Sequence, residues 1–424
     1  MRHWFYDSGL WEYFQGFLLL DTKPWPSKGT IEVILESKED RVRKCHCCGE
    51  NLGKIHSYYK MTARHLKIFE FYVTVIFQRE KRWCHKCKKT RSENIEWLST
   101  SSPHLTKAMA SWINRLTEMA PVSSVAYLES VDKMTCYRVD KEILMQFLQG
   151  YKIPKVTRIS VDEVYARTKK QMKEGEDRDD LFLTAIVDLN THKVIYVSDS
   201  RKQRALDEFF EILGEEACKK IEDVACDQHE AYSKSVKKYC KNAKIVWDRF
   251  HLVQNFNKAL NEERKLELAA QGDNKEAKEL LRGGHRYKYL TRADRRNKKS
   301  QQHMDDVFKI NERMLKLELI KEHFHKVFDS ETWAEAFALL AECYQWALEI
   351  KADHVIQWIT SIRYDHRFEN YFTHRVTSAI SEGVNRVIKG LKWLAFGYKD
   401  MEYFKLKILQ RCGYLNSRFA GKLA

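Results

Sequence analysis

The chain has little of what interrupts regular structure: its 424 residues hold only five prolines and sixteen glycines. Long structured elements should therefore dominate. No internal repeat or low-complexity tract is present, and 44% hydrophobic residues exclude wholesale disorder. Long apolar runs are also missing, so no membrane span is expected. Met1 to Leu20 mixes aromatics with Asp7 and Glu12, Asp21 follows directly, and no continuous apolar core forms. No signal peptide is expected there, and the protein is expected in the cytoplasm. The 11 cysteines do not read as a disulfide framework. Four fall in CxxC pairs and the rest are scattered singly, which fits a reducing compartment and one metal site.

Charge of one sign prevails. A formal net charge of +15 and a pI near 9.1 imply a polyanionic partner. Nucleic acid is the default, because each neutralised phosphate releases counterions. Length allows about two to four domains. Residues 1–40 are rich in Trp and Phe and end in a plausible strand, Thr30 to Glu36; no role beyond packing or dimer contact is assigned to them. Residues 41–95 carry the CxxC pairs, and 96–150 read as short helices. Residues 151–252 predict three adjacent strands (156–166, 181–189, 193–198), then a helix over 204–220, a strand to Cys226, a helix over 230–240 and a strand to Trp247. That pattern implies a mixed sheet flanked by helices, an α/β fold. Residues 253–370 keep helical periodicity throughout. Within them, residues 281–300 hold eight Lys/Arg against one Asp, which reads equally as a solvated face or a DNA-contacting surface.

Cys45-His-Cys-Cys48 and Cys84-His-Lys-Cys87 are the strongest local signal. Each tight turn presents two thiolates, and two turns close a tetrahedral site for one structural Zn2+. Lys67 to Arg79 alternates as a ribbon strand should, and the 35 residues between the pairs leave room for a small inserted hairpin. Arg43, Lys44, Lys81, Arg82, Lys88 and Lys89 would give this ribbon a basic, DNA-facing rim. Residues 121–139 have the layout of a helix-turn-helix, with Ala126 at the helix contact and Ser130 where glycine often stands. Thr135 and Arg138 would then lie early on the second helix, directed to the major groove; an ordinary helical hairpin is the alternative.

Two aspartates follow apolar strand segments: Asp162 after Ile159-Ser-Val161 and Asp227 after Val224-Ala-Cys226. On adjacent parallel strands they would lie side by side and repel unless cations neutralise them. Glu382 stands on an amphipathic helix, on one face with Asn385, Arg386 and Lys389 and away from the apolar stripe. Gathered carboxylates of this kind can hold two divalent cations against a phosphodiester. Glu163 adjoins Asp162, but strand alternation sends it to the other face, so it is set aside.

These residues together resemble bacterial insertion-sequence transposases of the DDE class, specifically the ISL-three family. The resemblance covers about residues 40–410. It rests on the CxxC pairs, Ser160-Val-Asp162-Glu163, Ala225-Cys-Asp227, and Ser381-Glu382-Gly-Val-Asn385-Arg386-Val-Ile-Lys389 continuing through Phe396-Gly-Tyr398. It implies an RNase H-like core whose triad is Asp162, Asp227 and Glu382, holding two Mg2+ or Mn2+. The helical stretch 253–370 becomes an insertion in that core, and 371–424 its carboxyl-terminal part. Asp248-Arg-Phe-His251 resembles the signature that follows the second aspartate in such enzymes; Gln228 departs from the apolar residue usual beside it. The resemblance further implies binding to terminal inverted repeats and target duplex DNA, strand cleavage and transfer, a homodimer or larger assembly on DNA, and a place on the bacterial nucleoid. A DNA-binding regulator that has lost catalysis, and an RNase H-like nuclease without strand transfer, are the alternatives.

Overall fold

A computed structural model describes residues 10–172, 174–375 and 379–416. The chain divides into two compact units, residues 1–152 with 391–424, and residues 153–390.

The first unit is built on strands that bury one face. Strand β1 (Phe17–Trp25) pairs antiparallel with β2 (Thr30–Ser37), where Ile31, Val33 and Leu35 alternate into the core. After β3 (Lys44–Cys45), strands β4 (Ile55–Ile68) and β5 (Phe71–Cys84) form a hairpin, and β6 (Lys89–Asn94) closes back on β5. β2 runs parallel to β5, with Ile31 beside Val73 and Val33 beside Val75. Within residues 1–40, read from sequence as a separate segment, Phe17 to Ser37 thus form a hairpin in the same sheet as β5, which ends in Cys84. Phe14, Phe17, Phe77 and Trp97 pack edge-on beneath it. The continuous strand read over Lys67–Arg79 is instead broken by a turn at Phe69 and Glu70, with Phe69 in the left-handed region at φ 50°. The inserted hairpin is accordingly long, fourteen residues on each side.

Helices α1 (Lys107–Thr117), α2 (Val122–Glu129) and α3 (Lys133–Gln149) follow. Ser130 ends α2 in the left-handed conformation, φ 49°, and Asp132 caps α3 by accepting from the Thr135 amide at 2.8 Å. Val125, Ala126, Cys136 and Val139 bury this bend against Met109 and Ile113.

In the second unit the strands are β7 (Arg158–Tyr165), β8 (Phe182–Asp188), β9 (Lys193–Ser198), β10 (Asp223–Cys226) and β11 (Lys244–Trp247), in sheet order β11-β10-β7-β8-β9. β7, β8 and β9 are antiparallel neighbours, while β10 runs parallel to both β7 and β11. The helix expected over 204–220 is two, α4 (Gln203–Leu213) and α5 (Glu215–Cys218). Gly214 parts them at φ 84°, a backbone state that costs glycine little. Helix α6 (Glu230–Tyr239) connects β10 to β11.

The expected all-helical stretch begins at α7 (Arg249–Ala270) and continues through α8 (Lys275–Leu281), α9 (Arg286–Leu290), α10 (Lys298–Ile310), α11 (Glu312–Val327), α12 (Trp333–Glu349), α13 (Asp353–Ile362) and α14 (His366–His374). Its core is aromatic: Phe256 and Phe324 lie 4.0 Å apart between centroids, with Trp358 across both. Helix α15 (Ala379–Leu394) follows.

The last helix, α16 (Met401–Cys412), belongs to the first unit, although sequence reading assigned 371–424 as a whole to the sheet-bearing core. The reason is a buried polar knot. Asp140 on α3 accepts from Asn114 at 2.8 Å, Thr117 at 2.6 Å, Lys407 at 3.1 Å and the Tyr403 hydroxyl. Lys407 also donates to the Thr117 carbonyl at 2.6 Å, and burial pulls its pKa down. Asp140→Ala should cost about 3–5 kcal/mol in urea unfolding, because it strands a buried ammonium. Asp140→Leu with Lys407→Met should recover most of that loss.

Candidate active site and metal centre

Parallel pairing of β7 with β10 matches Ile159 to Val224 and Ser160 to Ala225, so both strands deliver their aspartates toward the same sheet end. Asp162 is on β7 and Asp227 directly follows β10. Asp227 is braced by the His229 amide, 2.9 Å from Oδ1. Burial raises its pKa, and the Asp162 charge adds to the rise against the pull of that amide and of His251.

Helix α7 begins where β11 ends. Asp248 caps it, Oδ1 accepting from the Phe250 amide at 2.8 Å, while its own amide donates to the Cys226 carbonyl at 2.9 Å. One turn on, His251 Nε2 lies 3.8 Å from Asp162 Oδ1 and 3.7 Å from Asp248 Oδ2. Burial opposes its charge, but Asp162, Asp248 and Asp227 outweigh it and hold the imidazolium pKa at about 9. Gln228, the departure from the usual pattern, accepts from Asn255 on α7 at 2.6 Å.

Asn385 on α15 donates to Asp162 Oδ2 at 2.6 Å. It is buried, and its own Oδ1 has no hydrogen-bond partner among the described residues, which leaves an oxygen donor free beside Asp162. Glu382, one turn earlier, pairs with Arg386 at 2.6 Å and is 41% exposed. Its carboxylate is not gathered with those of Asp162 and Asp227 as closely as the four thiolates described below. The exposed first turn gives it a guanidinium at i+4, whereas a position beside two aspartates would add a third like charge. Arg386 and Lys389 are exposed. The polar face expected to be shared is thus divided, with Asn385 inward and Arg386 and Lys389 outward.

Glu163 matters more than the sequence indicated. Alternation does turn it from Asp162: it meets Arg201 at 3.5 Å and the Tyr232 hydroxyl at 3.4 Å. Burial nevertheless raises its pKa to about 7, reinforced by the charges of Asp227 and Asp162. The Asp162-Glu163 doublet was the available signal. Strand alternation discarded it because it governs direction, not Coulomb range.

Cys45, Cys48, Cys84 and Cys87 bring their sulfurs within 4.8 Å of one another, the one such group of metal-ligating side chains found among the described residues. Burial disfavours the Cys45 thiolate, but the amides of Cys48 and Cys47 outweigh it and bring its pKa to about 7. Four thiolates suit a closed tetrahedral Zn2+ site. Around it, Arg43 and Arg82 turn inward: both reach Glu80, Arg43 at 3.3 Å, and Arg82 also donates to the Gly53 carbonyl at 3.0 Å. Lys44 and Lys81 remain exposed. On α3, Thr135 is occupied by the Asp132 cap, and exposed Arg138 donates to the Thr135 hydroxyl at 3.3 Å.

Residues 159–408, which include all three proposed acidic residues, match a family model for ISL-three (ISL3) DDE proteins described as a transposase. The chain is also similar to the transposase for insertion sequence element IS1001 of Bordetella parapertussis, 24% identical over 388 residues, covering 91% of this chain and 92% of that protein.

Two outcomes follow from this geometry. His251 has a raised pKa, so its pairing stabilises the fold below pH 6.5 and that stabilisation, up to about 3 kcal/mol, is lost as pH rises through about 9. In chelator-treated protein its imidazole NMR titration should have a midpoint near 9 that falls toward 6.5 in Asp162→Asn; a midpoint near 6.5 before substitution would refute the surroundings described. Cys84→Ser with Cys87→Ser should abolish zinc retention by elemental analysis, and full retention would remove these residues as ligands.

Proposed function

This chain belongs to the ISL-three family of transposases, enzymes acting on DNA, and we propose that it cleaves the ends of an insertion sequence and joins them to target DNA. The observation that carries this reading is one junction. Asp162 and Asp227 extend from adjacent parallel strands, and Asn385, one turn beyond Glu382, is hydrogen-bonded to Asp162. Three antiparallel strands followed by two parallel ones support an RNase H-like core interrupted by the helical insertion.

Asp162, Asp227 and Glu382 would hold two Mg2+ or Mn2+, hard cations suited to carboxylates and to the free Asn385 oxygen. Such cations neutralise charge on the phosphodiester and activate the attacking oxygen. The chain's own groups act around them. His251, with Nε2 3.8 Å from Asp162 Oδ1 and 3.7 Å from Asp248 Oδ2, stands where the phosphate would approach Asp162. Asp248 fixes that imidazole from the helix cap. Arg386 and Lys389 project outward to meet the backbone of bound DNA, and Arg386 would exchange Glu382 for phosphate on binding.

The zinc-ribbon unit, through Lys44, Lys81, Arg138 and the α2–α3 bend in a helix-turn-helix role, would bind the terminal inverted repeats. Pairing two DNA ends calls for a homodimer or larger assembly. No helix among the described residues is long and apolar enough to cross a membrane. Work on the nucleoid in the bacterial cytoplasm fits this role.

Labelled terminal-repeat DNA with Mg2+ tests the reading. The unaltered chain should cleave at the repeat ends, and Asp162→Asn and Glu382→Gln should each be slower by about 100-fold or more. Equal cleavage by all three would sink the triad, whereas binding without cleavage by the unaltered chain would indicate a regulator.

A further inference from the structure

The basic stretch of the helical insertion separates into two groups in the structure. Arg282 pairs with Glu279, Arg292 with Asp294, and Arg296 is buried against Glu318. Arg286, Lys288, Arg295, Lys298 and Lys299 have no carboxylate partner among the described residues. These five come from elements packed together. Arg296 donates to the Lys288 carbonyl at 2.9 Å, and the His285 and His303 rings lie 4.4 Å apart, seating α10 against the turn before α9. Tyr287 is 67% exposed with the Arg286 guanidinium over its ring at 4.5 Å. Burial lowers the His285 and His303 pKa values, and nearby Lys288 lowers both further.

We propose that this face is a sequence-independent clamp on the backbone of duplex DNA, outside the position cut at Asp162 and Asp227. The proposal rests on those aspartates marking the cleavage site. Unneutralised Lys and Arg match phosphate by charge, and such contacts position DNA without reading it. Asn297, the side-chain amide between Arg296 and Lys298, uses its Oδ1 as the cap of α10, accepting from the Ser300 amide at 2.9 Å. Helix α7 sets the reach. Arg264, which donates to the Leu281 carbonyl beside this face, lies thirteen residues along the helix from His251, about 20 Å. That distance spans about six base pairs of duplex.

The test uses full-length chain carrying Asp162→Asn, with and without Arg286→Ala, Lys288→Ala, Lys298→Ala and Lys299→Ala. Fluorescence anisotropy is read on duplexes of about 40 base pairs, one with the terminal repeat and one scrambled. The fourfold variant should bind both about 10-fold or more weakly at ~100 mM salt, and its slope of log K against log salt should become shallower by about 3.6. Hydroxyl-radical footprinting should lose protection about six base pairs from the cut position. Lys298→Gln with Lys299→Gln, both on an exposed first turn, should give about half the slope change. Unchanged affinity and slope, or a loss confined to the terminal-repeat sequence, would overturn the clamp while leaving the cleavage reading intact. Absence of any DNA binding before the fourfold substitution would overturn both. Melting temperature and zinc content, unchanged in the variants, separate lost contacts from lost fold.

Discussion

Carboxylates held close together impose the constraint around which the second unit is organised. Parallel pairing of β7 with β10 sends Asp162 and Asp227 toward one sheet end, and burial there makes the Asp227 charge costly. Beside Asp162 in the sheet stand Ser160, Val164 and Ala185, none of which carries a compensating charge. Relief comes from His251, at the start of the insertion, and Asn385, on the helix that follows it. The two segments are separated by more than a hundred residues and meet at one aspartate. The charge problem is thus also an assembly rule for sheet, insertion and α15.

Asp248 shows how tightly the insertion is tied to that point. Its amide bonds the last residue of β10, one carboxylate oxygen caps α7, and the other faces His251. Helix start and site electrostatics therefore cannot be adjusted independently. An insertion entered through such a residue is fixed in register from its first turn.

Much of this was legible because it is local. The CxxC spacing needs only two tight turns, and an aspartate after an apolar strand segment needs only its own alternation. Helical periodicity over 253–370 marked the all-helical stretch for the same reason. What escaped depends on partners distant in sequence. The Glu80 carboxylate turns Arg43 and Arg82 inward, Asp140 draws α16 into the first unit, and Asp227 reaches Glu163 across the strand direction. The turn at Phe69 was hidden because a non-glycine residue occupies a left-handed position.

The charge count carries the same lesson. A net charge of +15 states how many cations exceed anions, not where a polyanion can lie. Near the cysteine pairs, basic residues are dense, yet Arg41, Arg43 and Arg82 are neutralised by Glu93 and Glu80. In the all-helical stretch, Arg292 and Arg296 are likewise held, while neighbouring Lys298 and Lys299 have no carboxylate partner among the described residues. Pairing converts a basic stretch into a structural face, and the unpaired remainder sets the field that DNA meets. Density of lysine and arginine in sequence is therefore only an upper bound on a DNA surface. The location of the buried carboxylates decides how much of it is left.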